Sequence, residues 1–245
     1  MKKQNPSKSS AAKATPKRSK STASEKELAK GSYHHGELPE RLMALAVQAI
    51  EAEGTEALSL RALAREAGVS ATAPYRHFPS KRCLFAGIAT QGFLRLTSSM
   101  AAKLAEFDKI DDRFIAMGLA YIDFAVANPV HYKLMFGSVL ADFSDYAMLQ
   151  KAAEESYAQL LEQLSELIEI RQLAISPTEL GGVVWSGVHG MASLMINNNS
   201  MVSAKSNSDQ NRSLPGQSIG SLHMNTDRAM RVMFGNLIGD NAGLH

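Results

Sequence analysis

A single cysteine, Cys83, means that the chain cannot close an internal disulfide, nor assemble a cysteine-based zinc site or a redox pair. That scarcity points to a reducing cytoplasm. Long hydrophobic runs are missing too. The longest uncharged apolar stretch, Leu180 to Ile196, is interrupted by glycines, serines and His189, and it falls short of the ~20 residues that a membrane span needs. The N-terminus has lysines but no apolar segment ahead of a cleavage site, so neither a secretory signal nor a membrane anchor is expected.

Catalytic signatures are equally scarce. The chain has no Walker loop, dinucleotide fingerprint or metal-hydrolase pair, and no catalytic residue and no cofactor is assigned. His34 and His35 adjoin, but no Asp, Glu or Cys stands near them at ligand spacing, and no metal site is expected.

What is present begins with an uneven charge. Net charge over 245 residues is only +2, yet residues 1–32 carry +7, residues 33–82 are neutral and the remainder is acidic by −5. The basic stretch is rich in Lys, Ser and Ala and has no aromatic before Tyr33. Such a segment cannot offset its ordering entropy by burial, so 1–32 reads as a disordered tail. It serves either as a solubilising extension or, because lysines near a duplex release counterions, as a nonspecific DNA tether.

From Glu37 on, the patterning is helical throughout and no convincing strand occurs. Leu38, Leu42, Leu45, Ala46, Ala49 and Ile50 fall at helical spacing before Gly54. Ser59 heads a second helix with Leu60, Leu63, Ala64 and Ala67 on one face, and Gly68 stops it. Ser70 is expected to cap a third, ending before Phe78-Pro79. Ser80 heads a long fourth helix running toward Phe107, long enough to connect two compartments. Further helices are expected over Phe114–Ala127, Val130–Phe136, Tyr146–Ile170, Ser176 to about Asn197, and Asn225–Ile238. The Asn/Ser-rich stretch 198–222 reads as a mobile loop.

The spacing of Ala64, Gly68 and Ser70 fits a helix-turn-helix, in which crossing helices need a small residue and the turn needs one that accepts positive φ. In such a unit the third helix lies in the major groove of double-stranded DNA. Ala71, Thr72 and Arg76 then face bases, while Ser70, Tyr75 and His77 face the backbone. Lys81 and Arg82 oppose the dipole of the fourth helix in its first turn, an arrangement that a DNA phosphate would relieve. The alternative is a pair of solvated surface charges.

Pro74 is the irregular element of this reading, since a mid-helix proline costs ~3 kcal/mol. With Ser70 as N-cap it stands at the fourth helical position and forfeits one bond, to the cap's own carbonyl. A tightened or late-starting first turn is therefore expected.

Residues 33–90, with "LAREAGVS", "YRHF" and "SK", closely resemble the N-terminal DNA-binding domain of the tetracycline-repressor (TetR/AcrR) family of transcriptional regulators. Pro74 departs from the aliphatic residue that many members carry there. The resemblance implies DNA-contact roles for Ser59, Arg61, Ser70, Thr72, Tyr75, His77 and Lys81. Trp185-Ser186-Gly187-Val188-His189-Gly190, with "ANPVHYKLMFG" over Ala127 to Gly137, resembles the subgroup whose regulatory domain is named for a Trp-His-Gly signature.

The family implies an all-α homodimer. A three-helix DNA-binding domain at 33–85 is joined by the long fourth helix to an effector-binding and dimerisation domain at 86–245, and two helices per subunit build a four-helix dimer interface. Met117, Tyr121, Phe124, Met135, Phe136, Trp185, His189 and Met191 are the candidate walls of a pocket for a small-molecule effector, with His189 fixing a polar group. Ordinary core packing is the rival account of each. Gly181, Gly182, Gly187 and Gly190, costly within a helix, imply close approach at a pocket or dimer seam, or else a kink.

The function expected is a ligand-responsive regulator, a repressor released from a palindromic operator when its effector binds. Two other classes stay open. One is a helical interaction module that keeps the helix-turn-helix as a scaffold; the other is a small-molecule enzyme on a helical domain.

Overall fold

The computed structural model describes residues 38–140, 142–204 and 214–238, with the backbone alone at 198–204, 214 and 238. The basic tail, His34 and His35 lie outside the described residues. Among the described residues every regular element is helical.

Helix α1, Leu38–Glu53, ends where Gly54 turns to φ +84°, and Leu42, Ala46 and Ile50 recur on its buried face. Helix α2, Leu60–Glu66, buries Leu60, Leu63 and Ala64. It closes when Val69 N–H donates to Ala64 O (2.9 Å) and Gly68 N–H to Arg65 O (3.1 Å), with Gly68 at φ +70°. That paired closure needs a left-handed residue, which glycine adopts without steric cost. Ser59 holds the cap position of α2, but its side chain makes no capping bond.

The third helix differs from expectation. Residues 71–73 are turns and Pro74–Arg76 form one 3-10 turn, so no regular α-helix follows Ser70. Ala73 N–H, one residue ahead of the proline, donates to Ser70 O at 3.0 Å, and Arg76 N–H reaches Ala73 O at 3.2 Å. The missing amide at Pro74 has tightened the coil from i−4 to i−3 bonding. Pro74 and Phe78 are buried together while Tyr75, Arg76 and His77 stay exposed, which gives the ring a packing role as well.

Helix α3, Lys81–Leu104, is capped by the Ser80 hydroxyl, which accepts from Cys83 N–H at 3.2 Å. Helices α4 (Ile110–Ala127) and α5 (Pro129–Phe136) meet at 105° across Asn128, and most of their residues are buried. Among the described residues no single helix is long and apolar enough to cross a membrane. A 3-10 turn at Ser138–Leu140 precedes α6, Ala147–Arg171, whose left-handed cap Gln172 has φ 53°.

Helix α7, Pro177–Ala204, outruns its expected end, and α8, Leu214–Met224, occupies the last nine residues of the stretch read as a loop. Pro215 lies in the first turn of α8, where its missing amide breaks no bond, so this proline starts a helix. Residues 205–213 of that expected loop lie outside the described residues. Helix α9, Thr226–Ile238, closes the order.

The glycines of α7 have separable uses. A Cβ at Gly181 would stand 2.8 Å from both Leu161 and the Tyr157 hydroxyl, so α6 approaches closely there. One at Gly187 would stand 2.9 Å from Met233 Sδ on α9. Gly182 and Gly190 have open space in front of them.

Candidate functional site

The first candidate surface is the exposed face of the helix-turn-helix. Ser59, Arg61, Ser70, Ala71, Thr72, Tyr75, Arg76 and His77 are all exposed there, although none is held by a buried partner. The Ser70 and Thr72 hydroxyls stand 3.3 Å apart and bond each other, so Ser70 does not cap through its side chain. The expected N-cap gives way because the amides it would serve belong to a tightened turn that starts later.

Lys81 is only partly exposed, and its ammonium is already engaged. Nζ donates to Thr55 O at 3.1 Å and Glu56 O at 3.2 Å, and it lies 5.9 Å from the centre of the Phe85 ring. The charge therefore ties the first turn of α3 to the connection between α1 and α2, with one N–H left for an outside acceptor. The two carbonyl oxygens, partly negative though uncharged, also offset a cation placed at the wrong end of a helix dipole.

Beneath this surface the unit is small. Phe78 and Met43 both close on α3 at Gly87, where a Cβ would stand 3.1 Å from the Phe78 ring and 3.2 Å from Met43 Sδ.

The second candidate is a half-open cavity of about 500 Å³ bounded by α3, α4, α5, α6, α7 and α9. Met117, Tyr121, Met135, Phe136 and Trp185 line it as expected. Phe124 and Met191 are buried in the surrounding core, 6% and 4% exposed, and do not reach it. Helical spacing identifies a buried face without saying which of its members meets a void.

His189 stands behind the wall. Its Nδ1 lies 2.7 Å from the Tyr132 hydroxyl and 3.0 Å from that of Tyr121, and its ring stacks on Tyr132 at 5.3 Å. Burial pushes the Tyr121 phenol far above its ordinary range, with Tyr132 beside it adding to the effect. Burial likewise raises Tyr132 and lowers the His189 imidazole, so the cluster is neutral at ordinary pH.

Wall residues that the sequence reading missed include Phe93, Leu96 and Met100 of α3 and Ser156, Tyr157 and Leu160 of α6. Their apolar spacing was visible; that α3 and α6 share a cavity with α4 and α7 depends on how the helices cross. Gly92 brings α3 and α5 together, since a Cβ there would stand 2.5 Å from Met135 Sδ. Among the described residues no group of three or more His, Cys, Asp or Glu gathers as a metal site.

Comparison with known proteins follows the same division. Residues 42–88 match the family described as "Bacterial regulatory proteins, tetR family", and residues 114–211 match "Tetracyclin repressor-like, C-terminal domain". A nucleoid occlusion factor, SlmA of Edwardsiella ictaluri, is 30% identical over 134 residues, covering 55% of this chain and 67% of its own. A solved structure of a protein of unknown function from Rhodococcus sp. RHA1 is 28% identical with a TM-score of 0.62, covering 82% of this chain and 98% of that one. AibR, solved in complex with isovaleryl coenzyme A and operator DNA, shares the fold at 13% identity and a TM-score of 0.54, covering 77% of this chain and 97% of its own. The chain spans about half the length of the curated relatives it matches first, 46% and 54%.

Proposed function

This chain belongs to the tetR family of bacterial regulatory proteins, and we propose that within it the protein is a cytoplasmic, homodimeric repressor released from a palindromic operator by a small molecule. The family makes it a DNA-binding transcriptional regulator. On this reading residues 33–85 read DNA, with Ala71, Thr72 and Arg76 toward bases, Ser70, Tyr75 and His77 toward the backbone, and Ser59 and Arg61 as further DNA contacts. Residues 86–245 sense and dimerise, and the Trp185–Gly190 segment supports a reading of them as a Trp-His-Gly-type domain. The face of α7 carrying exposed Val183 and Leu194, with Val232 and Met233 of α9, forms the two-helix contribution to the dimer.

One observation carries the ligand response. Helix α3 is continuous from the Lys81 clamp on the helix-turn-helix to Phe93, Leu96 and Met100 in the cavity wall. Lys81 and Phe93 are twelve residues apart, roughly 18 Å along the axis. A molecule that wedges against Phe93 tilts the helix on which the reading head is mounted. Two heads that no longer match successive major grooves lose the operator. The effector acts only through its preference for that geometry; equal affinity for both states would shift nothing. AibR, solved with isovaleryl coenzyme A and operator DNA, supports by analogy of fold that such a scaffold binds both a small molecule and DNA.

The direct test is to capture sequenced genomic fragments with the purified full-length protein. Enrichment of one inverted-repeat sequence is expected; recovery of DNA without sequence preference would sink the reading.

A further inference from the structure

The positive charge of this protein does not stand where its DNA contacts are placed. Residues 33–82, which hold the reading head, carry no net charge, and everything beyond them sums to −5. Within the described part of the head, Glu40, Glu51, Glu53, Glu56 and Glu66 are all exposed. Two of its cations are also engaged by the protein itself. Lys81 donates to the Thr55 and Glu56 carbonyls. The Asp142 carboxyl is held below its ordinary range by its bonds from Ser144 and, after them, by the charge of Arg82.

A duplex carries one phosphate charge per ~1.7 Å of its axis, and proteins draw their sequence-independent affinity from neutralising those phosphates and releasing their counterions. A neutral head on an acidic body supplies little of that attraction, and at long range the two together repel the duplex. The compensating excess stands in residues 1–32, where nine Lys and Arg against two Glu give +7. Lys30 and Lys26 precede Leu38, the first residue of α1, by eight and twelve positions. At no more than ~3.6 Å per residue, covalent geometry keeps them within roughly 30 and 45 Å of the head. The polyanion nearest to these charges is therefore whatever DNA the head holds. Counterion release asks for charge beside phosphates and not for a fixed geometry, and the stretch has no aromatic before Tyr33 to stack on a base.

We propose that residues 1–32 are a sequence-independent DNA-binding arm, whose lysines and arginine sit on backbone phosphates flanking the site that the head reads and supply most of the salt-dependent affinity. Sequence choice stays with the head. This rests on the reading of residues 33–82 as the DNA-contacting unit, and it gives the basic tail the partner that the head's own charge balance requires.

Three full-length proteins test it: the unaltered chain, a variant with all nine Lys and Arg of residues 1–32 changed to Gln, and a variant with residues 2–32 in shuffled order. Each is titrated, at unchanged helical circular dichroism, against a 30-base-pair duplex of arbitrary sequence and against a captured genomic fragment, from 50 to 200 mM KCl. On the arbitrary duplex the unaltered chain should lose on the order of 10²–10³ in affinity across that range, as about five phosphate contacts do, and the glutamine variant less than about tenfold. The shuffled tail should match the unaltered chain. On the captured fragment the glutamine variant should weaken by the same factor as on the arbitrary duplex, leaving the ratio of the two affinities unchanged.

An unchanged salt slope in the glutamine variant overturns the proposal and returns the tail to a solubilising extension. A loss confined to the captured fragment, or produced by shuffling, overturns it by making the tail a reader of sequence. Binding to phosphatidylserine vesicles that the glutamine variant loses while its duplex binding stands overturns it in favour of a membrane surface. A flattened slope with no preference for the captured fragment keeps the arm and sinks the operator reading, whereas failure of the unaltered chain to bind either duplex sinks both.

Discussion

The reading head and the helical body behind it use the same kinds of residue to opposite ends. In the head, α1, α2 and the Pro74 turn close over a few side chains, such as Phe78 and Met43 against Gly87, and leave polar groups pointing outward. The body lines a half-open cavity with aromatics and methionines, and behind that wall Tyr121, Tyr132 and His189 bond one another. A head of that size has little stability to spare, while a body with a half-open cavity has given up packing contacts that a ligand can restore. On the proposed reading, recognition by the head rests on an exposed, pre-shaped surface, and recognition by the body rests on unfilled space.

The sharpest way to break this comparison is Phe78→Ala. Removing a ring that is 8% exposed and lies over Gly87 should cost about 3–5 kcal/mol. Operator binding should vanish while the emission of Trp185, the chain's one tryptophan, keeps its native spectrum; simultaneous loss of both would show that head and body fold as a single cooperative unit.

Acid should act next most strongly, and on the body. His131, 5% exposed, is held down to about 4 by burial and secondarily by the nearby Arg95 charge. Because the folded state resists a proton that the unfolded chain accepts near pH 6.5, this stability is fully present above that pH. It is lost as pH falls toward 4, by up to about 1.4 kcal/mol per unit. Melting temperatures from pH 7 to 4.5 should fall less steeply in His131→Phe than in the wild type, and parallel curves would remove His131 as the cause.

Arg76→Ala tests the outward face. It should weaken operator binding by about 1–3 kcal/mol and relax preference at one base position, with stability changed by less than ~0.5 kcal/mol. Uniform weakening across all sequences would move Arg76 from the bases to the phosphates.

The smallest effect is expected from Lys81→Ala. Loss of its bonds to the Thr55 and Glu56 carbonyls should cost about 1 kcal/mol of stability, screened as the side chain is by solvent. The salt dependence of DNA binding should hardly change, whereas a slope flattened by about one unit would restore Lys81 to a phosphate contact.

Much of this architecture was legible in residue order. The helix stops at Gly54 and Gly68, the Ser80 cap and the proline-adjusted turn all follow from local chemistry, and the structure keeps them. The stretch 198–222 was misjudged because Asn, Ser, Pro and Gly signal loops by propensity, whereas α7 and α8 are helical through most of it. Tertiary support routinely outweighs such weak preferences. Among the pocket residues, five of the eight expected meet the cavity, while Phe124, Met191 and His189 do not.

By itself, then, the sequence determined most of the helical elements and which residues of the helix-turn-helix stay exposed, because each depends on neighbours within a turn or two. Tertiary structure alone decided where the cavity lies, that α3 walls it, and that His189 supports two tyrosines from behind. Those depend on crossing angles between helices far apart in the chain, and periodicity along one helix carries no record of the angle at which another crosses it.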